Sequence, residues 1–334
     1  MQTPKGRKGW MDISVIVPTF NRRELVRRAL DALFVQSLPP SRFEIIVVVD
    51  GSTDGTAEAL SSLRPACRFR VIEQENRGLA GARNTGFRAA ESNLLLFLDD
   101  DMLCEPGLAA AHVAAHRAGV RMAGFGAIFL SPDSRPSLAA ECFNREIGAS
   151  HLQHKSFPGA PLHQVEAVFS NSSIPRALLA EAGGFDESFR MREDLELAVR
   201  LFRSGVQARY LPEAVARQFY DKSSADLIRD SEAFAVADTM FARKHPEALD
   251  SGYLSWLTKD PPWKRVLRRI AAVYPLAADC VLMPLCLLGE KFFRVPRIRS
   301  LGVRALQMRR RIHWFHAALK LGISRLTMPD EPGH

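Results

Sequence analysis

Cysteine is scarce in this chain of 334 residues: Cys67, Cys104, Cys142, Cys280 and Cys286 are scattered, with no CxxC pair. That spacing excludes a zinc ligand set and a disulfide framework, and it fits a reducing compartment. No internal repeat and no low-complexity segment is present. GxGxxG and the Walker lysine pattern are both absent, so neither common nucleotide fingerprint applies. His112 and His116 stand four apart on an expected helix but outside any HExxH pattern, and they read as ordinary core histidines. The first ten residues are basic and polar and lack an apolar h-region, so no signal peptide and a cytoplasmic location are expected. Excess charge of one sign is missing from most of the chain. The net charge is +8, yet Pro261 to His334 alone hold 14 basic and 4 acidic residues, which leaves the rest nearly neutral. A near-neutral body lacks the basic stripe of a nucleic-acid binder. A basic tail on such a body points instead to an anionic surface.

What is present is an alternation of strand and helix patterns over residues 12 to 130. Strands are expected at Ile13–Val17, Ile45–Val49 and Leu94–Leu98, with a weaker one at Phe69–Ile72. Helices are expected near 24–34, 56–63 and 79–90. Continuous apolar strands alternating with helices imply a Rossmann-like, mostly parallel sheet with flanking helices on both faces, an α/β fold. Residues 131 to 192 read as irregular, with His151, His154 and His163 in a loop that suits an acceptor. A helix is expected from Glu193 to Ser204, stopping at Gly205. Ile270 to Leu288 is nearly long enough to span a bilayer, but Pro275, Asp279 and Pro284 interrupt it, so a surface or re-entrant element is expected. Leu301, Ala305, Met308, Ile312, Phe315 and Leu319 fall on one helical stripe flanked by arginines. Such a stripe either lies in a headgroup region or packs on the preceding domain.

The chemistry concentrates at the ends of the expected strands. Leu94–Leu98 runs into Asp99-Asp100-Asp101, and buried carboxylates there need a cation or hydrogen bonds. That sheet edge is where open α/β sheets bind ligands, and hard oxygen donors beside a phosphate suit Mg or Mn. A solvated acidic turn is the alternative. The first strand ends in Val17-Pro18-Thr19-Phe20-Asn21-Arg22 and the second in Asp50-Gly51-Ser52-Thr53-Asp54-Gly55. Asp50 can accept from a base N–H or a ribose hydroxyl. The glycines of Asn76-Arg77-Gly78-Leu79-Ala80-Gly81-Ala82-Arg83 permit a phosphate to approach a helix start. Glu193 and Asp194 open a helix, where the dipole alone would favour them.

In this order, SVIVPTFNRRELVRRAL, EIIVVVDGSTDGT, NRGLAGARNTG, LLLFLDDDM and GGFDESFRMREDLELAVRL resemble the family 2 glycosyltransferases, which are inverting enzymes with the GT-A fold. The resemblance spans roughly residues 12 to 205. It implies that Pro18, Thr19, Asn21, Arg22 and Asp50 line the nucleoside pocket, with Arg83 near the nucleotide and Asp100 among the donor-binding groups. It makes Asp99 and Asp101 the DxD pair on the metal, and Asp194 the base, with Glu193 as the second candidate. Gly183 and Gly184 would shape the acceptor side. Two positions depart from the family pattern: Val49 stands where relatives often have Asp, and Arg217-Gln218-Phe219-Tyr220 holds no His. Gln218 or a water would then take the place of that His.

The expected organisation is an N-terminal tail (1–11), a GT-A domain (12–250) and a basic helical extension (251–334). The domain divides into a nucleotide-sugar part (12–130) and an acceptor part (131–250). The expected activity is metal-assisted transfer of a sugar from a nucleotide-diphosphate sugar to a glycan or lipid-linked acceptor. The expected place is peripheral, at the inner face of the cytoplasmic membrane, with residues 261–323 against anionic lipid. The alternatives are a non-catalytic nucleotide-binding scaffold and a sugar-phosphate nucleotidyltransferase. The latter lacks its Gly-rich N-terminal loop here.

Overall fold

The structure, a computed structural model, describes residues 11–156, 168–246, 270 and 272–322. The strands are β1 (Ile13–Thr19), β2 (Phe43–Asp50), β3 (Arg68–Gln74), β4 (Leu94–Leu98), β5 (Met102–Cys104), β6 (Met122–Leu130), β7 (Asn171–Pro175) and β8 (Gln207–Gln218). The helices are α1 (Arg23–Leu33), α2 (Thr56–Ser61), α3 (Gly78–Ala89), α4 (Leu108–Ala115), α5 (Leu138–Ser156), α6 (Arg176–Glu181), α7 (Glu193–Arg203), α8 (Ser224–Lys244), α9 (Pro275–Lys291) and α10 (Pro296–Lys320). Two compact units result: Met1–Ser131 with Ala149–Phe219, and Pro132–Gly148 with Tyr220–His334.

The first unit is one eight-stranded sheet in the order β3-β2-β1-β4-β7-β6-β8-β5. β3, β2, β1 and β4 run parallel, as do β6 and β8, while β7 and β5 are antiparallel to their neighbours. Successive side chains of a strand face opposite sides, so a strand covered on both sides is largely apolar, and the polar exceptions here, Ser14 and Glu44, are paired at 2.6 Å. Val15, Val17, Ile45 and Val47 pack with α1, α2 and α4, whereas Ile16, Ile46 and Val48 pack with α3, α6 and α7. Edge strand β3 is only half covered, which explains its weaker apolar signal. Because β1, β2 and β4 are parallel, Thr19, Asp50 and Asp99 leave the sheet at one edge.

Residues 131–192 are not irregular throughout. They hold the 19-residue α5, then β7 and α6. Among the α5 residues whose burial is described, Leu138, Ala139, Ala140 and Cys142 are the buried apolar ones, and they lie in the first turns. His151 and His154 fall on α5, and His163 lies outside the described residues.

In the second unit, α10 buries Val303, Ala305, Leu306, Ile312, Trp314 and Ala318 and leaves Leu301 and Met308 exposed. This corrects the expected stripe by a rotation of the helix. Gly302 sits against Gly289 of α9, and a Cβ on either would come within 2.8 Å of the other's Cα. Trp314 and Ala318 pack on Ala235 and Ala242 of α8, and the Trp314 indole N–H donates to Asp238 at 2.8 Å.

Candidate active site

The chain leaves β4 at Asp99 and runs straight into two more carboxylates, which share Arg22. Asp99, 23% exposed, accepts from Arg83 Nη2 at 2.9 Å. Asp100 is buried; its Oδ2 accepts from the Thr19 hydroxyl at 2.7 Å and its Oδ1 from Arg22 Nη1 at 3.0 Å. Burial raises the Asp100 carboxyl above the usual range while Arg22 and Thr19 pull it back. Asp101 Oδ2 accepts from Gln218 Nε2 at 3.1 Å and Arg22 Nη1 at 3.3 Å, but Asp101 Oδ1 is buried with no hydrogen-bond partner. Burial, with Asp99 and Asp100 adding like charge, pushes Asp101 up to about 7.

Thr19 and Arg22 therefore join the β1 loop to the acidic turn. Asn21 joins the same loop to the β2 end: its N–H donates to Ser52 Oγ at 2.9 Å, and its Oδ1 accepts from the Thr53 N–H at 2.7 Å. Asn21 (φ +50°) and Arg192 (φ +66°) are the two non-glycine residues in left-handed backbone among the described residues, and both lie at this site. Such strain collects where surrounding structure dictates a functional geometry. Pro18 is buried in β1 beside Val48.

Asp50 has an additional structural task. Its Oδ1 accepts from Arg77 N–H at 2.9 Å and Gln74 Nε2 at 2.6 Å, and its Oδ2 from Gly78 N–H at 2.8 Å. It accepts from the backbone at the start of α3, so the Arg77 and Gly78 amides are occupied by Asp50. A Cβ on Gly86 would come within 2.3 Å of Ile16, which shows how closely α3 lies on the sheet.

Arg83 projects from α3 into the interior and is only 2% exposed. Its Nη1 donates to Glu193 at 2.7 Å, its Nη2 to Asp99 and to the Phe169 carbonyl at 3.0 Å, and its guanidinium lies over the Phe185 ring. Burial opposes its charge, but Asp99 and Glu193 outweigh that and hold it protonated. Burial and the neighbouring Asp194 raise Glu193 to about 7 against the pull of Arg83. Asp194 is more accessible; its Oδ1 accepts from the Leu195 N–H at 2.7 Å. The left-handed Gly183 and Gly184 close the end of α6, donating to the Ala180 carbonyl at 3.0 Å and the Leu179 carbonyl at 2.9 Å. Asn84 holds the next residue, accepting from the Phe185 N–H at 2.9 Å and donating to the Phe185 carbonyl at 2.8 Å.

The structure thus gathers the expected residues at one sheet edge in four hydrogen-bonded groups: Thr19, Arg22, Asp100, Asp101 and Gln218 around the acidic turn, Arg83 with Asp99 and Glu193, Asn21 with Ser52 and Thr53, and Asp50 with the start of α3, while Asp194 follows Glu193 on α7. Sequence reasoning missed Asn84, the Phe169 carbonyl and Phe185. Asn84 sits inside the quoted NRGLAGARNTG stretch, whereas no local pattern marks residues 168–170.

The histidines lie elsewhere. The His112 ring nitrogens pair with Ser173 Oγ at 2.8 Å and Asn171 Oδ1 at 3.0 Å, and His116 Nε2 with Ser173 Oγ at 2.9 Å. Burial pushes both down to about 4. Between pH 6.5 and 4 the unfolded chain therefore binds protons that the fold refuses, and stability is lost as pH falls through that window. Asp101 and Glu193 shift the other way, so His112 is read by difference. The stability gap between wild type and His112→Gln should narrow by about 2 kcal/mol from pH 7 to pH 5 in urea denaturation. A constant gap would contradict the burial argument.

Residues 14–158 match the family described as Glycosyl transferase family 2. Validoxylamine A glucosyltransferase of Streptomyces hygroscopicus subsp. limoneus is 32% identical over 267 residues, covering 71% of this chain and 57% of that protein. The protein of the same description from subsp. jinggangensis (strain 5008) is also 32% identical over 267 residues, with 62% of its length covered. The chain spans about three-fifths of these relatives. Among solved structures, the mannosyltransferase PcManGT from Pyrobaculum calidifontis, in complex with GDP-Man and Mn2+, superimposes with a TM-score of 0.60 at 22% identity. That match covers 92% of this chain and 86% of that one, and it shows the GT-A fold with C-terminal helices. Through the domain that begins at Ser14 and carries the acidic turn, the chain belongs to glycosyl transferase family 2.

Proposed function

We propose that this chain moves a sugar from a nucleotide-diphosphate sugar to a hydroxyl of a glycan or lipid-linked acceptor, with inversion and the help of a divalent cation. The observation that carries the reading is Asp101. Its Oδ1 is buried without a partner, two residues from Asp99, at the carboxyl edge of a parallel sheet. Among the described residues no three His, Cys, Asp or Glu side chains converge on one point. A Mg or Mn ion is held well by one or two carboxylates when substrate phosphates and water complete its shell. Asp99 and Asp101 fit that donor set, and neutralising their mutual repulsion is what a cation would do for them. Bound there, the cation would stabilise negative charge on the diphosphate leaving group.

The protein groups then have distinct tasks. Pro18, Thr19, Asn21 and Asp50 border the nucleoside, and Arg22 and Thr19 fix Asp100 so that the turn keeps its shape. Asp194 takes the proton from the acceptor hydroxyl. That oxygen bonds to the anomeric carbon while the bond to the diphosphate oxygen breaks, and the electron pair leaves with the diphosphate. Glu193 is occupied by Arg83, which favours Asp194 as the base. Residues 131–250 would carry the acceptor, and the basic extension, 251–334, would hold the protein at the inner face of the cytoplasmic membrane. The names of the relatives agree with glycosyl transfer, and the PcManGT complex agrees with a nucleotide-sugar and Mn.

Calorimetric titration with UDP, GDP, dTDP and CDP, each with and without Mn, tests the reading. One diphosphate should bind at least about tenfold more tightly with Mn, and Asp101→Asn should abolish that gain. Folded protein that binds none of the four would overturn it.

A further inference from the structure

Helix α9 is inside out for a helix in water. Its two acidic residues point inward: Asp279 accepts from Arg309 Nε at 2.7 Å and Nη2 at 3.0 Å and meets His313 Nε2 at 3.1 Å. Glu290 Oε1 accepts from the Leu138 N–H at 3.1 Å and the Ser224 hydroxyl at 3.2 Å. The outward arc holds Leu276 (78% exposed), Val281, Met283, Leu287 (64% exposed) and Leu288, with Cys280 among them. A helix facing only water carries the reverse pattern, and contiguous exposed apolar surface of this kind marks an interaction site.

The charge around the arc selects the occupant. Lys291, Arg294 and Arg297, at and just beyond the end of α9, and Arg304 and Arg311 on α10 are all exposed. Residues 275–320 hold no acid besides Asp279 and Glu290. Two copies of this face would bring like charges together, whereas an anionic leaflet attracts them. Asp279, which in sequence argued against lipid contact, is neutralised on the opposite side. No described helix is long and apolar enough to cross a membrane, and an amphipathic helix that meets lipid without spanning it lies in the interface plane.

We infer that the outward arc of α9 seats in the acyl boundary of an anionic lipid leaflet, with Lys291, Arg294 and Arg297 against the headgroups. This rests on reading the extension as membrane-associating and is independent of glycosyl transfer. Cys280 provides the probe, since the other four cysteines are buried. The full chain, labelled at Cys280 with an environment-sensitive fluorophore, is mixed with phosphatidylcholine vesicles with and without phosphatidylglycerol.

Flotation should be at least about tenfold greater with phosphatidylglycerol, and the label should report an apolar environment. Leu276→Asp/Leu287→Asp should lose roughly tenfold in binding with an unchanged thermal melt, because both side chains are exposed. A triple Lys291→Gln/Arg294→Gln/Arg297→Gln variant should lose the preference for phosphatidylglycerol. Undiminished flotation of the aspartate variant with a water-exposed label would overturn the seating while sparing electrostatic adsorption. Vesicle-free dimers abolished by the aspartates would assign the arc to a second copy instead. Absence of flotation with either vesicle would overturn the membrane reading together with the inference.

Discussion

Asp194→Asn is expected to reduce sugar transfer by about a thousandfold, with donor binding changed less than about threefold. The substitution preserves shape, and the amide oxygen still accepts from the Leu195 N–H. What it removes is a group able to take the acceptor proton. Losing a positioned base raises the barrier only once the hydroxyl attacks, so the loss should fall on kcat and spare the nucleotide affinity. Glu193→Gln provides the contrast. Glu193 is buried and holds Arg83, so its neutral variant should lower stability and activity together. Full transfer by Asp194→Asn would dismiss the base assignment. Transfer lost only through weakened donor binding would move Asp194 from base to donor contact.

The sheet was legible because a strand covered on both faces leaves a nearly continuous apolar run, as Leu94–Leu98 does and as Ile13–Val17 does apart from Ser14. The edge location of Thr19, Asp50 and Asp99 followed from the same alternation. Other features depend on contacts that no local pattern encodes. Asp50 reads as a free acceptor until α3 is placed with its first amides on that carboxylate. Arg83 reads as a cation near the nucleotide until the Phe169 carbonyl and Glu193 close around it. The face that α10 buries depends on its neighbours, with Gly302 against Gly289 of α9 and Trp314 and Ala318 on α8, which the stripe of larger residues does not encode. Gln218 pairs with Asp101 only because β8 closes the turn beside β5, bringing the Phe219 N–H within 2.8 Å of the Asp101 carbonyl.

The Arg83→Met variant should lose about 3–5 kcal/mol of stability, the cost of stranding buried charge when one partner of an ion pair is removed. Methionine fills much of the arginine volume, so the loss measures charge more than cavity. Glu193 bears most of it, because Asp99 is 23% exposed and water can reach it. Adding Glu193→Leu should therefore restore more than half of the loss, and the double-mutant cycle should give a coupling of about 2 kcal/mol or more. The penalty also has a pH sign. Burial already raises Glu193 to about 7 with Arg83 present, and removing Arg83 raises it further. The folded variant then binds a proton that the unfolded chain, with an ordinary glutamate, releases. Its deficit against wild type should shrink as pH falls from 8 toward 6. Urea midpoints across that range decide the matter. A deficit below about 1 kcal/mol, or one independent of pH, would mean that Arg83 is not the counterion on which Glu193 and the start of α7 depend.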